Sequence, residues 1–328
     1  MKAILKHKRV LVTGGAGFIG SNLCERLIDQ GNIVTCLDNF ATGYKHNLDK
    51  VINHPNFTLI EGDIRSFEDC KRAVKGQDVI LHQAALGSVP RSVKDPITSN
   101  DVNVNGFVNM LWAAKEAEVK RFVYAASSST YGDSKSLPKV EENIGKPLSP
   151  YAVTKYVNEL YADVFSKTYG IETIGLRYFN VFGPKQDPNG AYAAVIPKFV
   201  SFLLKGDSPM INGDGEYSRD FTFVENVIMA NQLAATVDNH EAVNTVYNVA
   251  CEQRTNLNQL VDYLKEGLSE FDPTIKNIEP THGSNRVGDI PHSLASVQKA
   301  KDLLGYNPEI KVREGILKAC EWYYNNLK

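Results

Sequence analysis

A glycine-rich turn between a strand and a helix constrains this chain more than any other feature. The apolar run Arg9–Thr13 leads directly into a glycine-rich turn at 14–20, and a helical pattern follows. Glycines in such a turn permit a tight reversal and the close approach of a pyrophosphate, and the helix start supplies free N–H groups. Two glycine registers fit, one starting at Gly14 and one at Gly15. The predicted cofactor contacts of the turn are Gly14, Gly17, Phe18, Ile19 and Gly20.

The first 180 residues alternate short apolar runs with helical patterns. The predicted strands are 9–13, 33–38, 58–61, 78–83, 121–127 and 172–179. The predicted helices between them are 18–30, 66–75, 97–118 and 151–168. This alternation indicates βαβ units with right-handed crossovers, so we predict an α/β fold with a doubly wound parallel (Rossmann) sheet.

After residue 180 the pattern changes, because loops lengthen and Pro, Gly and Asn cluster. Helices are predicted at 194–205, 224–237, 256–268, 296–304 and 312–326. Strands are predicted at 209–211, 219–223, 246–250 and 275–279. We therefore predict a dinucleotide-binding domain at 1–180 and a smaller α/β substrate domain at 181–328. The sequence leaves open whether the substrate domain is discontinuous, since residues 240–250 are also suited to return to the large sheet as another strand.

Composition excludes several partners. The chain has 328 residues, 43% of them hydrophobic and 23% charged, with a net charge of −2. This balance favours neither nucleic acid nor a membrane as a partner, and the apolar runs are too short to span a bilayer. The five cysteines are scattered without a Cys-x-x-Cys pair, which indicates reduced thiols in a cytoplasmic protein and no metal site.

Acidic and small residues at further strand ends extend the predicted cofactor site. Asp38 ends the second strand, where a carboxylate accepts ribose hydroxyls and repels a 2′-phosphate, so NAD is favoured over NADP. Asp63 and Ile64 follow the third strand and are predicted beside the adenine. The remaining predicted cofactor contacts are Asn39, Phe40, Thr42, Gly43, Gln83, Ala84, Ala85, Tyr151, Lys155 and Val181.

Tyr151 and Lys155 form a candidate catalytic pair. They stand one turn apart on a predicted helix, so they share a face. A nearby ammonium favours the phenolate, which can take a proton from an alcohol. The pairs Tyr131/Lys135 and Tyr324/Lys328 have the same spacing but lie in a turn and at the chain end. Only the first pair follows a strand end rich in hydroxyls, which holds Ser127, Ser128 and Ser129.

The glycine turn, the acidic second strand, the serine strand end and Tyr-x-x-x-Lys occur here in one order. This arrangement resembles the extended short-chain dehydrogenase/reductase family over essentially the whole chain. The segment 177–184 resembles the family's link between its two domains. The resemblance implies that Asn180 holds the nucleotide diphosphate together with Arg219 and Arg286.

The absence of a carboxylate beside Ser127–Ser129 resembles the nucleotide-sugar 4-epimerase branch, since similar dehydratases and decarboxylases place an acid there. The strings 87–92 and 187–198 resemble bacterial UDP-N-acetylglucosamine 4-epimerases of surface-polysaccharide synthesis. The resemblance implies that NAD is tightly bound, accepts hydride from C4 and is regenerated in each turnover. The implied substrate contacts are Ser88, Ser127, Asn180, Ala194, Val195, Lys198, Arg219, Arg286, Asp289 and Ser293.

Ser293 bears on which sugar is bound. It matches a wall residue that is tyrosine in epimerases limited to UDP-glucose and UDP-galactose, and serine leaves room for a 2-acetamido group. The alternatives are a UDP-glucose/UDP-galactose epimerase, a UDP-uronic acid 4-epimerase or a non-enzymatic NAD-binding regulator. A uronic-acid enzyme needs an additional cation near C6, for which His292 and Arg91 are candidates. The resemblance also implies a homodimer that pairs helices 97–118 and 151–168.

Overall fold

The computed structural model describes residues 4–188, 194–284 and 291–327. The strands are β1 (Arg9–Thr13), β2 (Ile33–Asp38), β3 (Phe57–Glu61), β4 (Val79–His82), β5 (Arg121–Ser127), β6 (Glu172–Tyr178), β7 (Val181–Phe182), β8 (Met210–Asn212), β9 (Ser218–Asp220), β10 (Thr222–Phe223), β11 (Thr245–Val249), β12 (Arg254–Asn256) and β13 (Thr281–Gly283). The helices are α1 (Phe18–Asp29), α2 (Phe67–Val74), α3 (Val89–Lys94), α4 (Pro96–Asn100), α5 (Gly106–Glu116), α6 (Pro150–Tyr169), α7 (Val195–Leu204), α8 (Val224–Thr236), α9 (Leu257–Leu268), α10 (Gln298–Leu304) and α11 (Val312–Asn326).

In the described part of the chain, seven strands form one parallel sheet in the order β11-β6-β5-β4-β1-β2-β3. Successive residues of β1 enter opposite cores: Val10 and Val12 face one hydrophobic cluster, and Leu11 faces the other. Helices α1 and α8 cover the first face, and α2, α5 and α6 cover the second. Burial on both faces explains why these strands are almost wholly apolar. The predicted doubly wound α/β sheet is confirmed.

The order of strands reverses beside β1, which opens a crevice at the carboxyl ends of the sheet. From β1 the chain moves outward through β2 and β3, and then returns to β4 on the other side. Ligands of open α/β sheets bind at such a switch point. The glycine turn after β1 and the polar residues after β4 and β5 therefore meet at one edge.

Residues beyond 180 contribute to both parts of the molecule. Strand β11 pairs in parallel with β6 at the edge of the large sheet, and α8 packs against β4, β5 and β6. The remaining elements include the short pairs β9–β12 and β8–β13. We propose that the substrate domain is discontinuous, because α8 and β11 share the core of the large sheet.

The structure contradicts one predicted strand and confirms one predicted helix with an irregular turn. The predicted strand at 275–279 is largely the 3-10 turn Pro273–Asn277, because Asp272 caps it by accepting from Thr274 N. The neighbouring strand is Thr281–Gly283, which pairs with β8. The predicted helix 97–118 begins at Pro96 and contains a π-helical turn, Asp101–Asn105. Among the described residues, no helix has the length and apolar character needed to cross a membrane.

Candidate active site

A cavity of about 680 Å³ lies at the carboxyl edge of the sheet, beside the glycine turn. It brings together most of the residues predicted to bind a cofactor. The predicted residues that line it are Gly14, Gly17, Phe18, Ile19, Gly20, Asp38, Asn39, Thr42, Gly43, Asp63, Ile64, Gln83, Ala84, Ala85, Ser127, Ser128, Tyr151, Lys155, Asn180 and Val181. Phe40 is not among the lining residues, and its main-chain N–H donates to Asp38 at 2.8 Å.

The glycine turn is packed so closely that side chains would displace it. A Cβ on Gly20 would lie 2.1 Å from the carbonyl oxygen of Gly14, and Gly14 itself has a φ of +68°. Gly15 faces the other way, since its Cβ would lie 2.4 Å from the sulfur of Cys36 in the core. The turn that faces the cavity is therefore built on Gly14, Gly17 and Gly20, which favours the first of the two registers.

Asp38 joins the end of β2 to this turn. Its two carboxylate oxygens accept from the N–H groups of Ala16 and Phe40, each at 2.8 Å. Burial raises the pKa of the Asp38 carboxyl, and these main-chain hydrogen bonds oppose the rise. Because a carboxylate has about four acceptor positions, Asp38 retains capacity for ribose hydroxyls. The tight cradle and this acid fit the adenosine half of a dinucleotide.

Asp63, predicted to lie beside the adenine, is held at the cavity wall by an ion pair. Arg65 Nη2 lies 2.7 Å from Asp63 Oδ2, and Asn39 Nδ2 donates to the same oxygen at 2.8 Å. The hydrogen bond from Arg65 lowers the pKa of Asp63 to about 2. Asp63 is therefore ionised at neutral pH, and it orders the loop that lines this end of the cavity.

A polar network that sequence reasoning missed lies next to Gln83. The Tyr178 hydroxyl donates to Gln83 Oε1 at 3.0 Å and accepts from Asn231 Nδ2 at 2.9 Å. Gln83 Nε2 in turn donates to Asn231 Oδ1 at 3.1 Å. Asn231 lies on α8, remote in sequence, so no local pattern could have identified it. The network fixes the strand end at which Ala84 and Ala85 line the cavity.

Tyr151 and Lys155 lie in the first turns of α6. Ser149 caps this helix by accepting from Ala152 N at 3.1 Å. Lys155 is only 3% exposed, and its ammonium lies 5.9 Å from the centroid of the Tyr151 ring. Burial lowers the pKa of Lys155 to about 8, and the charge of Glu159 opposes this shift. The predicted pair is therefore adjacent and lines the cavity.

The serine strand end lies against this tyrosine. Burial raises the pKa of Tyr151, and its hydrogen bond with Ser127 opposes the rise. Ser127 Oγ also accepts from Ser129 Oγ at 2.9 Å. We expected Lys155 to lower the pKa of Tyr151. Instead burial raises this pKa, and the group that opposes the rise is Ser127. A positive charge brought by a ligand would act in the expected direction.

Asn103 is a second residue that sequence reasoning missed. It lies in the π-helical turn, where Asn103 Nδ2 donates to Thr154 Oγ1 at 3.1 Å and Oδ1 accepts from Leu86 N at 2.7 Å. The side chain therefore joins α6 to the loop after β4. Leu86 lines the cavity, and Thr154 Oγ1 donates to Tyr151 O at 2.8 Å. An asparagine inside a helical pattern carries no sequence signal for this role.

A second cavity, of about 380 Å³, adjoins the first. Ser127, Ser128 and Asn180 line both cavities. Ser129 and the predicted substrate residues Arg219 and Ser293 line the second. Asn180 is oriented by the bond from its Nδ2 to Asp220 O at 3.1 Å. The structure thus brings predicted substrate residues from both halves of the chain into one cavity, which shares Ser127 with the cavity that holds Tyr151 and Lys155.

Other predicted substrate residues are not among those that line the two cavities. Ser88 Oγ caps α3 by accepting from Arg91 N at 3.2 Å. Ala194 and Val195 begin α7, and the Lys198 ammonium lies 6.0 Å from the Phe202 ring. Arg286 and Asp289 lie outside the described residues, so their predicted roles stay predictions.

The tyrosines of the two competing Tyr/Lys pairs make packing and hydrogen-bond contacts away from Tyr151. Tyr131 is 2% exposed, and its hydroxyl donates to Asn248 Oδ1 at 2.7 Å. Tyr324 stacks on Phe271 with ring centroids 5.3 Å apart, and Lys328 lies outside the described residues. Throughout the described ranges, no three His, Cys, Asp or Glu side chains are grouped to hold a metal ion.

Comparison with known proteins identifies the family. A family model described as the NAD dependent epimerase/dehydratase family matches residues 10–250. The chain belongs to this family. NAD is therefore its cofactor, in agreement with the glycine cradle and Asp38, and the predicted family resemblance is confirmed.

Three relatives of this chain illustrate the match. A solved UDP-N-acetylglucosamine 4-epimerase from Methanobrevibacter ruminantium, in complex with UDP-N-acetylmuramic acid, is 40% identical with a TM-score of 0.90, covering 98% of this chain and 99% of that one. A UDP-glucose 4-epimerase from Thermotoga maritima, solved with UDP-glucose, is 35% identical with a TM-score of 0.88, covering 98% and 100%. A putative UDP-glucose 4-epimerase from Methanocaldococcus jannaschii is 37% identical over 319 residues, covering 97% of this chain and 99% of that relative.

Proposed function

We propose that this protein is a UDP-sugar 4-epimerase that interconverts UDP-N-acetylglucosamine and UDP-N-acetylgalactosamine. One observation carries the proposal: Ser127 lines both cavities and bonds with Tyr151, which lines the first cavity together with Lys155. Among the described residues, no carboxylate lines the second cavity. A site without a carboxylate beside the serines supports a reversible oxidation, because the similar enzymes that dehydrate their sugar use an acid there as an additional proton carrier.

The proposed chemistry follows from the groups around Ser127, which lines both cavities. Bound NAD supplies an acceptor for the hydride at C4 and returns it. Tyr151 takes the proton of the C4 hydroxyl and later gives it back. Ser127 orients the C4 oxygen, since its hydroxyl already bonds with Tyr151. Lys155 keeps a positive charge close to the tyrosine. This charge favours the phenolate and acts against the effect of burial.

Inversion at C4 requires the 4-keto sugar to rotate within the site without dissociating from the protein. Arg219 and Asn180 line the second cavity beside the serines, and a guanidinium suits a diphosphate through paired, charge-assisted hydrogen bonds. We propose that these residues, together with Arg286, hold the UDP end as a tether. The 4-keto sugar then rotates about this tether and accepts hydride on its opposite face.

The choice of an acetylated sugar depends on Ser293. Ser293 lines the second cavity together with Ser127, Ser128 and Ser129, and its main-chain N–H donates to Ser218 O at 3.0 Å. The main chain is therefore held in place, while the short side chain leaves space for an acetamido group. UDP-glucose is the alternative substrate, because two of the relatives are named for it. The ratio of kcat/KM for the acetylated and non-acetylated sugars decides between the two.

We also propose a homodimer. The outer face of α6 exposes Val153, Leu160 and Val164, each about half exposed, and Ile97 on α4 is 82% exposed. Aliphatic side chains spaced this way form one stripe, which is typical of a surface that another copy covers. The expected partner surface is the same pair of helices, α4–α5 and α6, by two-fold symmetry.

The proposed setting is the cytoplasm, in the supply of precursors for surface polysaccharides. Five buried free thiols support a reducing compartment. The decisive experiment is incubation of purified protein with UDP-N-acetylglucosamine and no added NAD, followed by NMR. We expect UDP-N-acetylgalactosamine to form. No conversion, even after NAD is supplied, would overturn the proposal.

A further inference from the structure

Glu159 lies one helical turn after Lys155 on α6, and the proposed mechanism does not use it. Residues four apart share a helix face, and side chains on a helix point toward its N-terminus. The Glu159 carboxylate therefore extends toward the turn that carries Lys155. Both residues are buried, and the charge of Glu159 raises the pKa of Lys155 against the larger effect of burial.

An arginine from β6 fixes the orientation of this carboxylate. Arg177 Nε donates to Glu159 Oε1 at 2.9 Å, and Arg177 Nη2 donates to Glu159 Oε2 at 2.7 Å. Paired hydrogen bonds of this kind hold a carboxylate in one orientation. Arg177 Nη1 also donates to Glu141 O at 2.9 Å, which holds the guanidinium itself. The side chains of this ion pair are only 3% and 8% exposed, so water screens their charges little.

The ion pair also contacts the turn that follows the serine strand end. Thr130 Oγ1 donates to Glu159 Oε1 at 3.5 Å, and the Arg177 guanidinium lies 4.9 Å from the centroid of the Tyr131 ring. Thr130 and Tyr131 directly follow Ser129 in the chain. The ion pair thus connects α6 and β6 with the segment that carries the candidate catalytic hydroxyls.

Several other titratable groups around Lys155 and the ion pair are neutral. Burial lowers the pKa of His82, at the end of β4, to about 3, and the charge of Lys155 acts in the same direction. Burial raises the pKa of Tyr124 on β5 well above its usual value, and it also raises that of Tyr151. Arg91 of α3 lines the same cavity as Lys155. These groups are the same in every variant of the test, so the ion pair is the part of this environment that the test changes.

We propose that Glu159 and Arg177 are positioning residues for Lys155: they keep its ammonium charged beside Tyr151 and hold α6 in place against the serine strand end. This inference rests on the proposed function and adds two residues to its site. Neither residue is among those that line the two cavities, so the pair acts through Lys155 and does not touch the substrate.

The test follows the protonation of Lys155 by NMR in the NAD-bound protein, which carries lysine isotope-labelled at Cε. The Lys155 signal is the one that Lys155→Arg removes. Glu159→Gln removes the negative charge and leaves Arg177 in place, so the midpoint of the titration should fall by at least about 0.5 of a pH unit. The double variant Glu159→Gln/Arg177→Gln leaves neither charge of the pair unpaired and should show a smaller fall. The alkaline fall of kcat/KM should move to lower pH in the same order.

A second buried ion pair supplies the matched control. Glu172 lies 2.7 Å from Arg121, and these two residues begin β6 and β5, at the end of the sheet away from Ser127. Glu172→Gln should therefore leave the Lys155 midpoint unchanged, although it also removes a buried carboxylate from an arginine. Glu159→Asp keeps the negative charge and should hold the midpoint near its wild-type value.

The outcomes separate this inference from the proposed function, because the NMR titration does not depend on turnover. An unchanged midpoint in folded Glu159→Gln, or in the double variant, would overturn the inference. An equal fall in Glu172→Gln would also overturn it, since the effect would then come from the loss of any buried ion pair. Shifted midpoints in a protein that epimerises no UDP-sugar would support the role of the pair and overturn the proposed function. Epimerisation with unshifted midpoints would do the reverse.

Discussion

The Lys155 ammonium donates a hydrogen bond to the main-chain oxygen of Ala125 at 2.9 Å. This bond anchors the lysine to the end of β5, shortly before Ser127–Ser129. Helix α6 and strand β5 are thus joined at the candidate active site. The charge of Lys155 is held in a buried site, 5.9 Å from the centroid of the Tyr151 ring.

The activity should depend on pH through this lysine. Its pKa is lowered to about 8 by burial, so the positive charge is present below that pH and is lost as the pH rises through it. We expect kcat/KM to fall on the alkaline side near pH 8. In Lys155→Arg the guanidinium stays protonated, so the fall should move to a higher pH at a lower maximum. Rates from about pH 6 to about pH 10 measure this, and an unchanged alkaline fall would assign it to another group.

Tyr151→Phe should retain NAD and UDP-sugar binding but lose turnover by about 10²- to 10⁴-fold, since it removes the proton carrier. Bound NAD is measured by its release on denaturation, and turnover by NMR. Tyr161→Phe is the matched control, because Tyr161 lies on the exposed face of the same helix. Near-normal turnover in Tyr151→Phe would contradict its assignment as the base.

Ser293→Tyr should remove activity on the acetylated pair by at least about tenfold more than on UDP-glucose and UDP-galactose, because the ring occupies the acetamido space. Ser136→Tyr introduces the same ring at an exposed position and should leave the selectivity unchanged. Parallel kcat/KM measurements on both pairs decide the question. Equal losses on the two pairs would reject the steric gate.

Gly20→Ala should sharply reduce NAD content, since its methyl group would lie 2.1 Å from the carbonyl oxygen of Gly14 and must displace the turn. Gly170→Ala is the control. Gly170 has a φ of +74° with open space around its Cβ, so alanine there costs about 1–2 kcal/mol through backbone strain alone. Only the first variant should purify with little NAD. A Gly20→Ala protein with full NAD content would show that the turn does not cradle the cofactor.

Leu160→Glu should convert the proposed dimer to a monomer, because a charge would be buried at the centre of the apolar stripe. Light scattering after size-exclusion chromatography gives the mass. Lys318→Glu changes charge by the same sign at an exposed position of α11, outside the proposed interface, and should leave the mass unaltered. A monomeric wild type would refute the homodimer.

Part of the site could be predicted because its signals are local. The glycine spacing after β1, the acid at the end of β2 and the Tyr/Lys spacing on α6 lie within single βα units. The strand and helix periods identify those units, and right-handed crossovers then bring their carboxyl ends to one edge. The prediction of a strand at 275–279 was wrong because Pro273 and the cap Asp272 favour a 3-10 turn over the strand that the apolar pattern indicates.

Other features could not be predicted because they join segments far apart in the chain. Asn231 reaches Gln83 from α8, and Asn103 reaches Thr154 from the π-helical turn. Neither asparagine differs locally from a polar helix residue. Their roles arise only when the helices pack on the sheet.

The sequence by itself determined the doubly wound parallel sheet, the NAD family and the candidate pair Tyr151/Lys155, since periodicity and spacing are properties of contiguous residues. Only the tertiary structure decided the electrostatics of the site. Burial raises the pKa of Tyr151 and lowers that of Lys155, and it encloses the ion pair of Glu159 and Arg177. Burial depends on what distant segments place around a side chain, and no local pattern encodes that.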